Sequence, residues 1–246
     1  MAYCKIILEK DKQIAKITLN KPQALNSVDE ELLTELVSAL DDIEKDDDIN
    51  VVILTGAGRA FSAGRDLKGI LEGREWAGGS RYRALEDLSK PVIAAVNGYC
   101  FTGSFELAMC ADIIIASEKA VFADTHARFG VIPGGGQTQR LSRQIGPRKA
   151  KELMFTGDMI TAREAERIGI VNRVVPPQEL EKAAREMAEK ILKNIPETIR
   201  AIKSLVNKGL KTDLASGLEM EAAAHRGPIS PAREGRKRIS DLLWKK

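Results

Sequence analysis

The first twenty residues alternate apolar with polar and charged side chains, the two-residue period of half-buried strands. This predicts strands over residues 4–8 and 14–20, joined by a polar turn at 9–12, with Pro22 ending the second. The period then changes. Leu32, Leu33, Leu36, Val37 and Leu40 recur at helical spacing, with Asn26-Ser27 as the expected helix opening. Apolar runs at 51–55 and 91–96 read as strands buried on both faces, and 111–117 reads as the next strand. Between them lie a Gly/Ala/Ser-rich loop at 56–64, a helical run at 66–72, a mobile stretch around 76–80, an Asn97-Gly98 turn and a short apolar helix at 104–110.

Beyond Gly146 the pattern is helical at 148–156, 161–168, 177–194 and 198–210, with one strand-like interruption at 171–174. Strand and helix alternate through the first two-thirds, which predicts an α/β core. The expected division is a core over residues 1–190 and a helical region over 191–246 that packs on the core or a neighbouring subunit. Leu214, Leu218, Met220, Leu242, Leu243 and Trp244 are its apolar positions.

Bulk properties remove several function classes. A net charge of +3, spread over interleaved bases and acids, gives no basic stripe for nucleic acid. The basic end (Arg233, Arg236, Lys237, Arg238, Lys245, Lys246) reads as solvated surface. No apolar run approaches the roughly 18 residues of a membrane span. The charged N-terminus lacks a signal peptide's apolar block, so a cytoplasmic location is the default expectation. Cys4, Cys100 and Cys110 form no C-x-x-C pair, and with two histidines there is no metal-ligand spacing. Neither a metal nor a cofactor is expected.

Three segments could carry chemistry. In Ala60-Phe61-Ser62-Ala63-Gly64-Arg65-Asp66-Leu67, small residues after a buried strand let the backbone approach a ligand; taken alone, an ordinary strand-to-helix turn is the simpler explanation. The second runs from Val96 through Gly103 into an apolar helix that holds Glu106 among Phe105, Leu107, Ala108 and Met109. A carboxylate there is paired, neutral or facing a cavity, which makes it an acid/base candidate with a raised pKa. Its plainer role is to complement the helix dipole. The third, from Ala123 to Gly136, holds His126 before a glycine-rich turn. That turn has neither the P-loop Lys-Ser/Thr nor Rossmann spacing. A histidine in such a place serves as a structural hydrogen-bonder or as a proton-transfer group.

In this order the segments resemble the crotonase (enoyl-CoA hydratase/isomerase) family over nearly the whole chain. Residues 19–26 (LNKPQALN) are similar to its LNRP…N motif, 60–67 to AFSAGADL, 96–113 to VNGYALGGGCELALACDI, and 132–141 to IPGAGGTQRL. Residues 153–176 are similar to the segment that follows the family's core. The resemblance implies a spiral of ββα units with a helical C-terminal region, assembled as a homotrimer or dimer of trimers. Its ligand would be a CoA thioester, as substrate rather than cofactor. By position, the backbone N–H groups of Arg65 and Gly103 would form an oxyanion hole. Lys21, Ala24, Ala63, Gly64, Asp66, Leu67 and Lys68 would line the CoA and substrate path.

Departures from the pattern bear on the reaction. Hydratases of this family use two glutamates on water; Glu106 matches the first, and His126 stands at the second. Arg65 replaces the usual alanine, and Thr102-Gly103-Ser104 replaces a triple glycine. Arg226-Gly227-Pro228 interrupts the last helical stretch. The leading expectation is hydration of an α,β-unsaturated acyl-CoA, or its reverse, with Glu106 as general base and His126 holding the water or delivering the α-proton. A crotonase-type β-diketone hydrolase using His126 is the alternative within the same fold. A non-catalytic acyl-CoA-binding protein is the third reading.

Overall fold

The computed structural model describes residues 3–73, 78–227 and 233–244. Its alternating N-terminal segments form a hairpin of β1 (Ile6–Asp11) and β2 (Ile14–Leu19), antiparallel from Ile6↔Leu19 to Asp11↔Ile14. β1 begins two residues later than its pattern implied and runs through the expected turn. It can do so because Lys12, at φ 55°, reverses the chain within two residues. Helix α1 (Glu30–Glu44) is opened by Asp29, whose side chain accepts from the Leu32 N–H at 2.9 Å. The expected opening at Asn26-Ser27 is corrected accordingly.

The chain then repeats one pattern of a long strand followed by a short one. β3 (Val51–Gly56) and β4 (Ala60–Ser62) lead into α2 (Leu67–Leu71), α3 (Gly78–Arg81) and α4 (Arg83–Asp87). β5 (Val92–Val96) and β6 (Tyr99–Phe101) lead into α5 (Gly103–Ala108). β7 (Ile113–Ser117) and β8 (Val121–Ala123) lead through a 3-10 turn to α6 (Gln137–Ile145) and α7 (Pro147–Thr156). β9 (Ile160–Thr161), α8 (Ala162–Arg167) and β10 (Arg173–Val175) close the core, and α9 (Leu180–Leu192), α10 (Pro196–Gly209), α11 (Leu214–Arg226) and α12 (Arg233–Trp244) follow. Of the stretch expected to be mobile around 76–80, residues 74–77 lie outside the described residues, as do Pro228, Lys245 and Lys246.

Long strands build a six-stranded sheet, β1-β2-β3-β5-β7-β10, parallel from β2 onward. Short strands build a second sheet, β4-β6-β8-β9, of which the first three are parallel. This is a spiral of ββα units in which each turn gives one strand to each sheet. The continuous apolar runs follow from burial on both sides. Val52, Leu54, Ala94 and Val96 face the cluster that includes α1, while Val51, Ile53, Ile93 and Ala95 face Leu180, Ala183, Ala184 and Ala188 of α9. Among the described residues, no helix is long and apolar enough to cross a membrane.

Asn26 ties the first loop to the hairpin. Its side chain is fully buried and accepts from the Lys21 N–H at 2.8 Å. Its amide donates to the carbonyls of Ala57 (2.9 Å), Ala60 (2.8 Å) and Phe61 (3.2 Å). Asn26 itself sits at φ 54°, a region asparagine tolerates better than alanine. Replacing it leaves several buried carbonyls and one N–H unmatched, at about 1–3 kcal/mol each before relaxation. Asn26→Ala is therefore expected to lose about 3 kcal/mol or more in urea unfolding; a loss below about 1 kcal/mol would show that neighbouring contacts hold the loop instead.

Candidate active site

The loop leaving β4 is held at an unusual angle. A parallel bridge joins Val28 to Arg65 through the Val28 N–H to the Gly64 carbonyl (2.8 Å) and the Asp66 N–H to the Val28 carbonyl (3.0 Å). In such a bridge the amide of the facing residue, Arg65, points to the opposite side. Gly64 adopts φ +91°, and a β-carbon there would stand 2.6 Å from the Phe101 carbonyl oxygen and 3.3 Å from Gly103 N. Only glycine satisfies both the dihedral and the close approach. The Arg65 peptide is thereby brought beside the second loop.

That second loop joins β6 to α5. Thr102 takes φ 54° and ψ −113°, outside the regions open to ordinary residues, a strain of order 1–3 kcal/mol. Its N–H donates to the Ala123 carbonyl at 2.8 Å and its hydroxyl bonds the Thr125 hydroxyl at 2.5 Å. Ser104 Oγ accepts from the Phe101 N–H at 2.8 Å and lies 2.5 Å from the Ser62 carbonyl, which clamps the two loops together. The residues that depart from the family's triple glycine thus fix the loop, while Gly103, the first residue of α5, keeps its N–H at a position with no intrahelical acceptor.

One turn into α5, Glu106 is 3% exposed. Oε1 accepts from the N–H groups of Gly135 (2.7 Å) and Gln137 (3.1 Å), so the glycine-rich turn and the start of α6 cradle a side-chain carboxylate. Arg140 fixes that turn by donating to the Gly135 carbonyl at 2.6 Å while pairing with Glu86. Glu106 Oε2 lies 3.7 Å from His126 Nε2. Burial raises the Glu106 pKa; the Gln137 N–H, His126 and the Gly135 N–H oppose it, and Asp124 adds to it. Sequence patterning anticipated this raised value.

His126 is held from behind. Asp124 Oδ1 accepts from the His126 N–H at 3.0 Å and lies 2.7 Å from its Nδ1. Because an ionised carboxylate only accepts, Nδ1 is assigned the proton and Nε2 faces Glu106. Asp124 was missed in the sequence, where an aspartate two residues before a histidine reads as turn chemistry; its buried neighbours Phe122 and Ala123 were the available signal.

Glu106, His126, Arg65 and Gly103 border one cavity of about 430 Å³, together with Ala63, Leu67 and Tyr82. Its remaining wall is largely apolar, with Phe101, Phe129, Val131, Ile132 and Met159. Gly64 is not among the lining residues; it sets the loop through its close approach to Phe101. Lys21, Ala24, Asp66 and Lys68 are not among the residues that line the cavity. Lys21 is 8% exposed, and its ammonium group contacts Asp29 at 2.5 Å and the Ser27 carbonyl at 3.0 Å. Asp66 accepts from the Lys68 N–H at 3.2 Å. Among the described residues, no group of three His, Cys, Asp or Glu could hold a metal.

Comparison with known proteins places this geometry. The family model for enoyl-CoA hydratase/isomerase matches residues 9–240. The short-chain-enoyl-CoA hydratase of Clostridium acetobutylicum is 44% identical over 227 residues, 89% of this chain and 87% of the relative. The crotonyl-CoA hydratase of Syntrophomonas wolfei is 40% identical, over 91% of this chain and 89% of the relative. A crystal structure of enoyl-CoA hydratase from Bacillus anthracis superposes with a TM-score of 0.92 at 39% identity, covering 99% of this chain and 97% of the other. The non-catalytic reading is set aside by these matches, and the chain belongs to the enoyl-CoA hydratase/isomerase family of enzymes.

Proposed function

We propose that this enzyme adds water across the α,β-double bond of an acyl-CoA thioester, or removes it in reverse. The observation that carries the reading is the facing of Glu106 Oε2 and His126 Nε2 at 3.7 Å, beside the two loops that present the Arg65 and Gly103 peptides. The thioester oxygen accepts from those two N–H groups, which strengthen their hold as it becomes an enolate oxygen. Glu106 takes a proton from water through Oε2 as the hydroxide oxygen adds to Cβ. In its protonated form, His126 delivers a proton to Cα from Nε2 and recovers one from Glu106 across the short gap between them; in its neutral form, the same nitrogen holds the water and the proton taken up by Glu106 passes to Cα. Asp124 keeps Nδ1 occupied, so Nε2 is the nitrogen that works, and it pairs the positive charge on the ring. The names of the Clostridium and Syntrophomonas relatives support a short, unsaturated acyl group.

Crotonyl-CoA tests this directly by loss of its enoyl-thioester absorbance. Glu106→Gln and His126→Ala are each expected to lower kcat by roughly 10²–10⁴-fold, and Asp124→Asn by a smaller factor, on the order of 10². Full activity in Glu106→Gln would sink the assignment. A β-diketone cleaved by the same protein, with crotonyl-CoA untouched, would favour the C–C hydrolase reading, which the Asp124–His126 pair also suits.

The raised Glu106 pKa sets the pH dependence. The base must be ionised, so activity falls on its acid side at a pH above the ordinary 4.5. The folded chain holds this proton more tightly than the unfolded one, so the contribution to stability declines as pH rises from 4.5 through the raised value. Glu106→Gln removes that decline and is expected to melt higher than wild type near neutrality despite its loss of activity; a lower melting temperature would contradict the burial argument.

The two loop glycines separate geometry from chemistry. Gly103 has no positive φ, and a β-carbon on it would stand 3.1 Å from Tyr82 Oη and 3.5 Å from Arg65 N. Gly103→Ala is expected to keep stability within about 1 kcal/mol while losing roughly 10²–10³-fold in kcat, because the methyl crowds the space between the Arg65 and Gly103 peptides that the oxygen is proposed to enter. Gly64→Ala meets both a forbidden φ and the Phe101 carbonyl, and is expected to lose about 2 kcal/mol or more of stability. Urea unfolding beside the crotonyl-CoA assay reads both, and the reverse ordering would overturn the loop assignment.

Oligomerisation follows the same reading. Leu214 and Leu218 on α11, with Ile239, Leu242 and Leu243 on α12, are exposed apolar positions suited to a trimer contact. Light scattering is expected to give three or six times the 26.9 kDa chain mass; a monomer would leave that surface unexplained.

A further inference from the structure

Among the described residues, buried side-chain polar atoms without a hydrogen-bond partner occur on three residues: Tyr82 Oη, Asp124 Oδ2, and both amide atoms of Gln137. All three border the Glu106–His126 pair. Asp124 holds His126, and the Gln137 N–H holds Glu106. Tyr82 alone of the three lines the cavity. Leaving a buried hydroxyl unmatched is costly, and a phenylalanine would fill the same space without that cost. Retaining the hydroxyl therefore calls for a partner that arrives with the ligand.

Its position narrows the partner. A β-carbon on Gly135 would stand 2.6 Å from Tyr82 Cδ2 and 2.7 Å from Glu106 Oε2, so the ring is seated against Gly135 beside the proposed base. At the other end, the point that a Gly103 β-carbon would occupy is 3.1 Å from Tyr82 Oη and 3.5 Å from Arg65 N. The Tyr82 hydroxyl and the Arg65 amide nitrogen therefore flank the same side of Gly103, where the proposed oxyanion hole lies. Tyr82 is 1% exposed, so its ring and hydroxyl are shielded from bulk solvent.

We propose that Tyr82 is a further catalytic residue, whose O–H is a third donor to the thioester oxygen held by the Arg65 and Gly103 amides. The assignment rests on the acyl-thioester reading of the site. The groups acting on the phenol are Glu106, Cys110 and Arg65; burial, Glu106 and Cys110 push its pKa up, and Arg65 opposes them. The phenol thus stays neutral and donates throughout the working pH range. No O–H bond breaks: the hydroxyl lends partial positive charge as the oxygen turns from carbonyl to enolate, and the proton reaching Cα comes from the Glu106–His126 pair.

Tyr82→Phe deletes this one atom. Hydration of crotonyl-CoA is expected to fall by roughly 10–10²-fold in kcat. KM is expected to change by less than about threefold, since the bond strengthens only in the transition state. The melting temperature should hold or rise, because an unmatched hydroxyl has been removed. Acetoacetyl-CoA, which needs only to enolise, gives a second readout: its enolate absorbance on binding should be weaker in Tyr82→Phe than in wild type. Wild-type kcat and an unchanged enolate band would overturn the proposal, as would activity lost in parallel with the melting temperature. If Tyr82→Phe fails to fold, 3-fluorotyrosine at the same position, a stronger donor, should deepen the enolate band, and no change would overturn the proposal. A wild type that fails to hydrate crotonyl-CoA, yet binds acetoacetyl-CoA as an enolate that Tyr82→Phe weakens, would retire the hydratase reading and leave the Tyr82 assignment standing.

Discussion

The close approach of two backbones at Gly64 and Phe101 governs the geometry of the site. Each unit of the spiral sends its chain from a short strand toward a helix, and β4 and β6 lie side by side in the second sheet. Their exits are therefore neighbours, but neighbouring is not enough to bring the Arg65 and Gly103 peptides together as the proposed oxyanion hole requires. That requires Gly64 at φ +91°, with no side chain between it and the Phe101 carbonyl. Ser104 then clamps the pair through the Ser62 carbonyl, and Asn26 anchors the first loop from below. Thr102 bears strain in this arrangement, and its bonds to Ala123 and Thr125 offset it. A site built on backbone peptides has little freedom to repack around a misplaced loop, which is why fully buried polar side chains, rather than apolar contacts alone, hold it.

Electrostatics at the same place depend on a second backbone device. Glu106 and Asp124 are two buried carboxylates separated by one imidazole. Burial of such groups is costly unless they are bonded, and the two are treated differently. Glu106 receives two N–H groups at Oε1 and leaves Oε2 toward the cavity. Asp124 spends Oδ1 on His126. The arrangement leaves one carboxylate oxygen and one ring nitrogen facing each other, each oriented by bonds on its far side. Arg140, anchored on Glu86, extends that orientation outward by holding the Gly135 peptide whose N–H reaches Glu106.

Much of this was legible in the sequence, and the gaps have physical reasons. Runs such as 51–55 and 91–96 are apolar throughout because α1 and α9 cover opposite faces of the same sheet. The three-residue strands β4, β6 and β8 leave too few positions for any period to register. Asn26-Ser27 looked like a helix opening because asparagine suits a cap, yet Asn26 uses the same hydrogen-bonding capacity to pin a loop, and Asp29 caps the helix. Glu106 and His126 were legible through the resemblance, and the structure brings them to 3.7 Å. Asp124 was hidden by its nearness to His126. Tyr82 was hidden because a buried aromatic residue announces packing, and only coordinates distinguish a hydroxyl that has a partner from one that does not.

The exchange of a second glutamate for His126 therefore changes less than the residue types imply. A carboxylate at that position would face Glu106 directly, and two like charges at short range disfavour joint ionisation. With His126 there, the second negative group moves back to Asp124, and the imidazole stands between them. The proposed proton capacity of the site is preserved, because an imidazole bound at Nδ1 can both give and accept a proton at Nε2. What changes is direction: a carboxylate offers two equivalent oxygens, whereas this ring offers one nitrogen, aimed by Asp124. The demand for accurate aim thus shifts from the side chain that faces substrate to the one behind it.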